Sequence, residues 1–88
     1  MKANRTEIQQ QLQNFLLDER WIEGIEEFKM GNSFREDLKF TKIELNEMFF
    51  MIENEFDILI SAKNEKETDT IGDLLNLIIE KRELTYNS

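Results

Sequence analysis

The stretch Thr41 to Phe56, TKIELNEMFFMIENEF, constrains this chain more than any other part of it. Thr41 followed three places later by Glu44 is a capping box. Its hydroxyl accepts from a backbone N–H of the first turn, and its carboxylate reaches back to the N–H of the cap. Beyond the box, Leu45, Met48, Phe49, Ile52 and Phe56 recur at spacings of three and four, an apolar stripe wide enough to face a core. The chain has no proline to interrupt such a helix, and period-two alternation is scarce elsewhere. The fold class is therefore all-α.

The remaining helices are read around this one. Ile8, Leu12, Phe15 and Leu16 stand at helical spacing behind Asn4 and Glu7, a second capping-box pattern in which Thr6 is the rival cap. They predict a first helix over 5–18. Trp21, Ile22, Ile25 and Phe28 follow more loosely, and Gly31-Asn32-Ser33 breaks the pattern. Residues 19–40 read as a long connection with room for a turn or two of helix, pinned by Ile25, Phe28, Phe34 and Leu38. After Asp57 the chain begins apolar and turns polar, a loop with room for a short helix. Ile71, Leu74, Leu75, Ile78 and Ile79 predict a last helix over 71–83, and LTYNS at the end is expected to fray. The architecture expected is one domain, residues 1–88: a bundle of three main helices with a long first loop.

Size and composition remove several functions. A domain of 88 residues buries only about 60–65% of the surface its unfolded chain exposes, too little for a deep, walled enzyme pocket. With neither Cys nor His, the thiol nucleophile, the usual general base and most transition-metal sites are gone. No catalytic or metal-binding residue is expected, and the chain reads as no enzyme. A net charge of −8, from 19 acidic against 11 basic residues, opposes nucleic-acid binding and favours a protein partner presenting Lys or Arg, unless it serves solubility alone. No apolar run approaches the roughly 20 residues that span a bilayer, and MKANRTEIQQQ lacks the apolar centre of a signal peptide, so the expected location is the cytoplasm and no membrane is involved.

The second helix also has an informative outer line. Ile43, Glu47, Phe50 and Asn54 fall opposite the core stripe, so two large apolar side chains are expected near solvent, flanked by Glu44, Glu47 and Glu53. Single exposed apolar residues are ordinary. Two on one line within a charged rim suit a transient docking surface.

Three blocks, aligned in order and without a gap, carry a family resemblance: SFREDL before the second helix, ENEFDILI at its end and TIGDLLNLI opening the last helix. They match segments of the forms Ser-Phe-x-Glu-Asp-Leu, Glu-x-Glu-Phe-Asp-x-x-Ile and Thr-Val-Gly-Asp-x-x-x-x-Ile, and the chain resembles acyl carrier proteins and peptidyl carrier domains over nearly its whole length. The resemblance implies a carrier fold in which a serine at the start of the second helix holds phosphopantetheine through a phosphodiester. The first turn suits that anion, because its unpaired N–H groups and the helix dipole favour negative charge.

The resemblance breaks at that serine. The family's Asp-Ser-Leu triplet reads Thr41-Lys42-Ile43 here, and an ammonium offers no hydroxyl to phosphorylate, so no phosphopantetheine is expected. Thr41 has a hydroxyl, but as the cap it is aimed elsewhere. Lys42 in the first turn opposes the macrodipole by a few tenths of a kcal/mol, so it is either a solvated replacement at a lapsed site or a contact for a partner's carboxylate or phosphate. A further departure is KNEKET at 63–68, where Glu65 and Thr68 stand at the apolar anchors of the family's third helix, leaving that helix short, shifted or frayed. The function expected is that of a carrier-like protein acting through Lys42, Ile43, Glu44, Glu47, Phe50, Glu53 and Asn54 against a protein partner, such as an enzyme of a fatty-acid, polyketide or related pathway. The alternatives are a genuine acyl carrier and, from another class, a small acidic inhibitor of the nuclease-immunity type.

Overall fold

In the computed structural model, which describes residues 4–87 and side chains through residue 83, helices are laid down in the order α1 (Arg5–Asp18), α2 (Lys42–Phe56), α3 (Ala62–Glu67) and α4 (Ile71–Asn87). A 3₁₀ turn at Ile25–Glu27 interrupts the connection between α1 and α2. Among the described residues the sole β pairing is an isolated antiparallel bridge between Ser33 and Thr70. The expected all-α carrier-like bundle is the fold found.

Each long helix begins where its sequence signals. Asn4, not Thr6, caps α1, its side chain accepting from the Glu7 N–H at 3.1 Å. α2 starts on the complete capping box of Thr41 and Glu44. It ends at Asp57, whose φ of 54° is the left-handed turn that closes many helices. Its last carbonyl is held from outside, because Arg82 on α4 donates to Phe56 O at 3.0 Å. α4 continues to Asn87, four residues past the expected end, and the expected fraying of 84–88 falls on side chains outside those described.

All five residues of the α2 stripe are buried, against Ile8, Leu12, Phe15 and Leu16 of α1 and Ile71, Leu74, Leu75 and Ile78 of α4. Phe15 and Phe56 meet edge to face with centroids 6.5 Å apart, the geometry favoured by the ring quadrupoles. Of the four residues expected to pin the long connection, Phe34 is buried in the core, and Phe28 and Leu38 pack against it. Ile25 does not: it is 64% exposed. Its 3₁₀ turn buries no residue, so the loose helical spacing that suggested a pin has no core face to serve.

The connection is anchored further by backbone bonds to the start of α4. Ile71 N–H donates to Asn32 O at 3.0 Å, Gly72 N–H to Met30 O at 2.9 Å and Phe34 N–H to Asp69 O at 2.9 Å. Two donors that the first turn of α4 leaves unpaired are thereby satisfied by the loop. The approach requires glycine, since a Cβ at Gly72 would lie 2.9 Å from the Met30 carbonyl oxygen. Ser33 Oγ adds a hydrogen bond to Asp69 Oδ1 at 2.9 Å.

α3 is a formed helix of six residues, opened by a capping box of Ser61 and Asn64, yet it buries no residue. Its end is fastened by Thr68, buried after all, whose hydroxyl donates to Asn64 O at 2.7 Å. That bond satisfies the hydroxyl of a buried polar residue at one of the two positions, Glu65 and Thr68, whose polarity led to the expectation of a short, shifted or frayed helix.

Candidate functional site

The N-terminus and outward line of α2 form the candidate site. At its head, Thr41 Oγ1 accepts from the Glu44 N–H at 3.1 Å while Glu44 Oε1 accepts from the Thr41 N–H at 2.8 Å. The Thr41 hydroxyl is therefore turned into the first helical turn. Lys42 follows, exposed. Phe40, immediately before the cap, packs on Trp21 and Phe34, with centroids 5.6 Å from each, which fixes the direction in which the chain enters the helix.

Down the outward line, Ile43 is 77% and Phe50 65% exposed, with Glu47 and Asn54 also in solvent. The two apolar side chains are seven positions apart in the helix, so they stand two turns, about 10 Å, apart. Asn54 Nδ2 donates to the Phe50 carbonyl at 3.3 Å, which ties it to its own helix. Glu53 differs from the other carboxylates named from the sequence. It is half-buried, and its Oε2 accepts from the Ile60 N–H at 2.7 Å, holding the segment after α2 against the helix. Lys42, Ile43, Glu44, Glu47, Phe50 and Asn54 thus share exposure, whereas Glu53 is engaged in the fold.

One exposed apolar residue escaped the sequence reading: Leu59 is 82% exposed just beyond α2. The signal was present in Ile58-Leu59-Ile60. Ile58 and Ile60 take the core positions, and the residue between them points out.

A clear electrostatic perturbation lies elsewhere, at the start of α4. The N–H groups of Asp69 and Thr70 both donate to Asp73 Oδ2 at 3.1 Å, and these bonds, Asp69's first, hold the Asp73 carboxyl below the usual 3.8. This carboxylate caps a helix. Among the described residues no group of three or more His, Cys, Asp or Glu side chains is placed to hold a metal ion, and no helix is long and apolar enough to cross a membrane.

No protein-family model matches the chain. Individual relatives do. It is 32% identical over 57 residues to the acyl carrier protein of Chlamydia trachomatis serovar D, covering 65% of this chain and 74% of that one. It is 28% identical over 69 residues to the acyl carrier protein of Clostridium acetobutylicum, covering 78% and 88%. To that of Borrelia garinii subsp. bavariensis it is 25% identical over 67 residues, covering 76% and 84%. With the helical fold and the position of α2 already established, these matches place the chain in the acyl carrier protein family.

Proposed function

We propose that this protein is a carrier-family member that holds no phosphopantetheine and works by presenting the outward face of α2 to a protein partner in the cytoplasm. Like its relatives it has the role of a carrier-type protein rather than an enzyme, and the partner is a biosynthetic enzyme or a subunit beside one. The observation that carries the reading is the head of α2. The attachment position holds Lys42, and the neighbouring hydroxyl, on Thr41, is committed to the capping box. The prosthetic group does not suit these residues, because a phosphodiester needs a free hydroxyl at that place and the first turn offers an ammonium.

The docking half rests on Ile43 and Phe50, large and exposed on one line, with Glu44 and Glu47 beside them and Lys42 above. Such a patch buries apolar surface at its centre and leaves charge at its rim to steer association.

Co-expression with a promiscuous phosphopantetheinyl transferase, followed by intact mass, tests the first half. The mass is expected to stay unchanged. A gain of one phosphopantetheine, mapped to Thr41 or to a serine, would overturn the proposal and favour a genuine carrier, the reading that the relatives' names suggest. The double substitution Thr41→Asp with Lys42→Ser asks whether the site alone was lost, and is expected to load if the rest of the recognition surface persists.

A further inference from the structure

The two end charges of α2 are placed against the helix that carries them. Lys42 occupies the first turn, Asp57 closes the last, and no basic residue of α2 stands near that end. A cation at the N-terminus and an anion at the C-terminus both oppose the macrodipole. Both residues are exposed, and neither side chain has a hydrogen-bond or ion-pair partner among the described residues. Between them the apolar line runs further than α2 itself. Ile58 N–H donates to Glu53 O at 3.1 Å and Ile60 N–H to Glu53 Oε2 at 2.7 Å, so Leu59 is held beside Glu53, about one turn beyond Phe50. Ile43, Phe50 and Leu59, all largely exposed, therefore follow one another down the outward side.

We propose that a second copy of this chain covers the outward face of α2, in an antiparallel twofold pair centred on Phe50, when no other protein occupies it. Phe50 is the midpoint of the surface: Lys42 lies eight positions before it and Asp57 seven after, about 12 and 10 Å along the axis. A twofold axis through Phe50 sets the two rings together, Ile43 against the partner's Leu59 and Lys42 against the partner's Asp57, each contact made twice. Glu47 and Asn54, three before and four after on the same side of the line, meet as carboxylate and amide. The end charges now favour both helices, because Lys42 lies over the C-terminus of the facing α2 and Asp57 over its N-terminus. The patch is small and each copy carries a charge of −8, so the pair is a transient one. This pairing rests on the reading of α2 as a docking face, and it adds a regulation, since any other partner has to compete with the second copy.

Sedimentation equilibrium of the full chain at physiological salt, from about 10 μM to about 1 mM, spans the affinities of weak pairs. The apparent mass is expected to rise with concentration toward that of two chains. Phe50→Asp is expected to weaken the pair at least about tenfold. Lys42→Glu and Asp57→Lys each set like charges together and are expected to weaken it about tenfold. An equimolar mixture of those two variants restores opposite charges at both contacts and is expected to pair about as the wild type does. Arg20 and Lys39 take the left-handed conformation of Asp57 in this chain, so Asp57→Lys is compatible with the cap, and circular dichroism checks that each variant is folded. A wild type that stays monomeric throughout would overturn the pair and leave docking of a different protein standing. Loss of stability on Phe50→Ala equal to that on Phe56→Ala would remove the docking face and the pair together. A dimer indifferent to Phe50→Asp, or a mixture that pairs no better than either variant alone, would also overturn the proposal.

Discussion

Truncating two phenylalanines of α2, six residues apart, tests the assignment of its two faces. Phe56 is 1% exposed and sits edge to face with Phe15, so Phe56→Ala removes a whole ring from a packed interior and leaves a cavity, a loss of about 3–5 kcal/mol. A domain of 88 residues has a total stability of roughly 4–13 kcal/mol, so the loss is a large share of the whole, and at the lower end of that range the variant is partly unfolded without denaturant. Phe56→Leu, which retains most of the volume, supplies a measurable intermediate. Phe50→Ala acts on a ring that is 65% exposed. The contact it loses along its own helix is countered by the better helix propensity of alanine, worth about 0.5 kcal/mol, and the net change should stay within about 0.5 kcal/mol. Urea unfolding followed by circular dichroism measures both, with the slope checked for constancy. Comparable losses at the two positions would mean that Phe50 is a core residue, and the docking surface would lose its central anchor.

Three further outcomes follow from the same structure. Gly72→Ala would ordinarily gain helix propensity of about 1 kcal/mol, but its Cβ would press on the Met30 carbonyl oxygen at 2.9 Å, and the net result should be a loss of about 1–3 kcal/mol in urea unfolding; a more stable variant would show that the loop yields freely. Asp73 has its carboxyl pKa lowered by the Asp69 and Thr70 N–H bonds, so its contribution is complete above the unfolded aspartate value and is lost as pH falls through the lower folded value. Between pH 6 and pH 3 the wild type should lose more stability than Asp73→Asn, and parallel curves would contradict this. Once a partner is in hand, Phe50→Ala should weaken binding by more than about 1 kcal/mol, and Glu47→Lys should slow association and change its salt dependence; unchanged affinity in titration calorimetry would remove α2 as the contact surface.

The parts of the fold that local chemistry determines could be read in advance. The Thr41 and Asn4 caps, the α1 span and the buried stripe of α2 all follow from residues within a few positions of one another. What escaped depends on distant partners. Ile25 sits in a helix-like spacing, but nothing in its own segment says that the turn around it faces solvent. Thr68 reads as a polar intruder until its hydroxyl is seen on Asn64 O, and Glu53 reads as a rim charge until the chain folds back to offer the Ile60 N–H. The Gly72 approach to Met30 joins residues forty-two positions apart, and only the assembled bundle reveals why a glycine stands there.

On the proposed reading, in which Lys42 stands at the attachment position, the same separation of local from distant accounts for a fold that persists without the serine. The interior depends on the far side of α2, on its cap at Thr41 and on the Arg82 hold at its end. Lys42 belongs to none of these. It occupies the first turn, exposed, at a position where a lysine costs the helix only a few tenths of a kcal/mol through the dipole. A site of this kind can change without a structural penalty large enough to oppose the change, because its chemistry rests on one hydroxyl and its scaffold on residues facing the other way. The outward face is under a different constraint. Leaving Ile43 and Phe50 in water brings the fold no burial, and exposed apolar side chains on one line favour association. Restoring a hydroxyl at residue 42 and removing the ring at residue 50 therefore probe different properties: the first should leave the apolar anchor of partner contact in place and change only a charge at its rim, and the second should leave loading chemistry as it was.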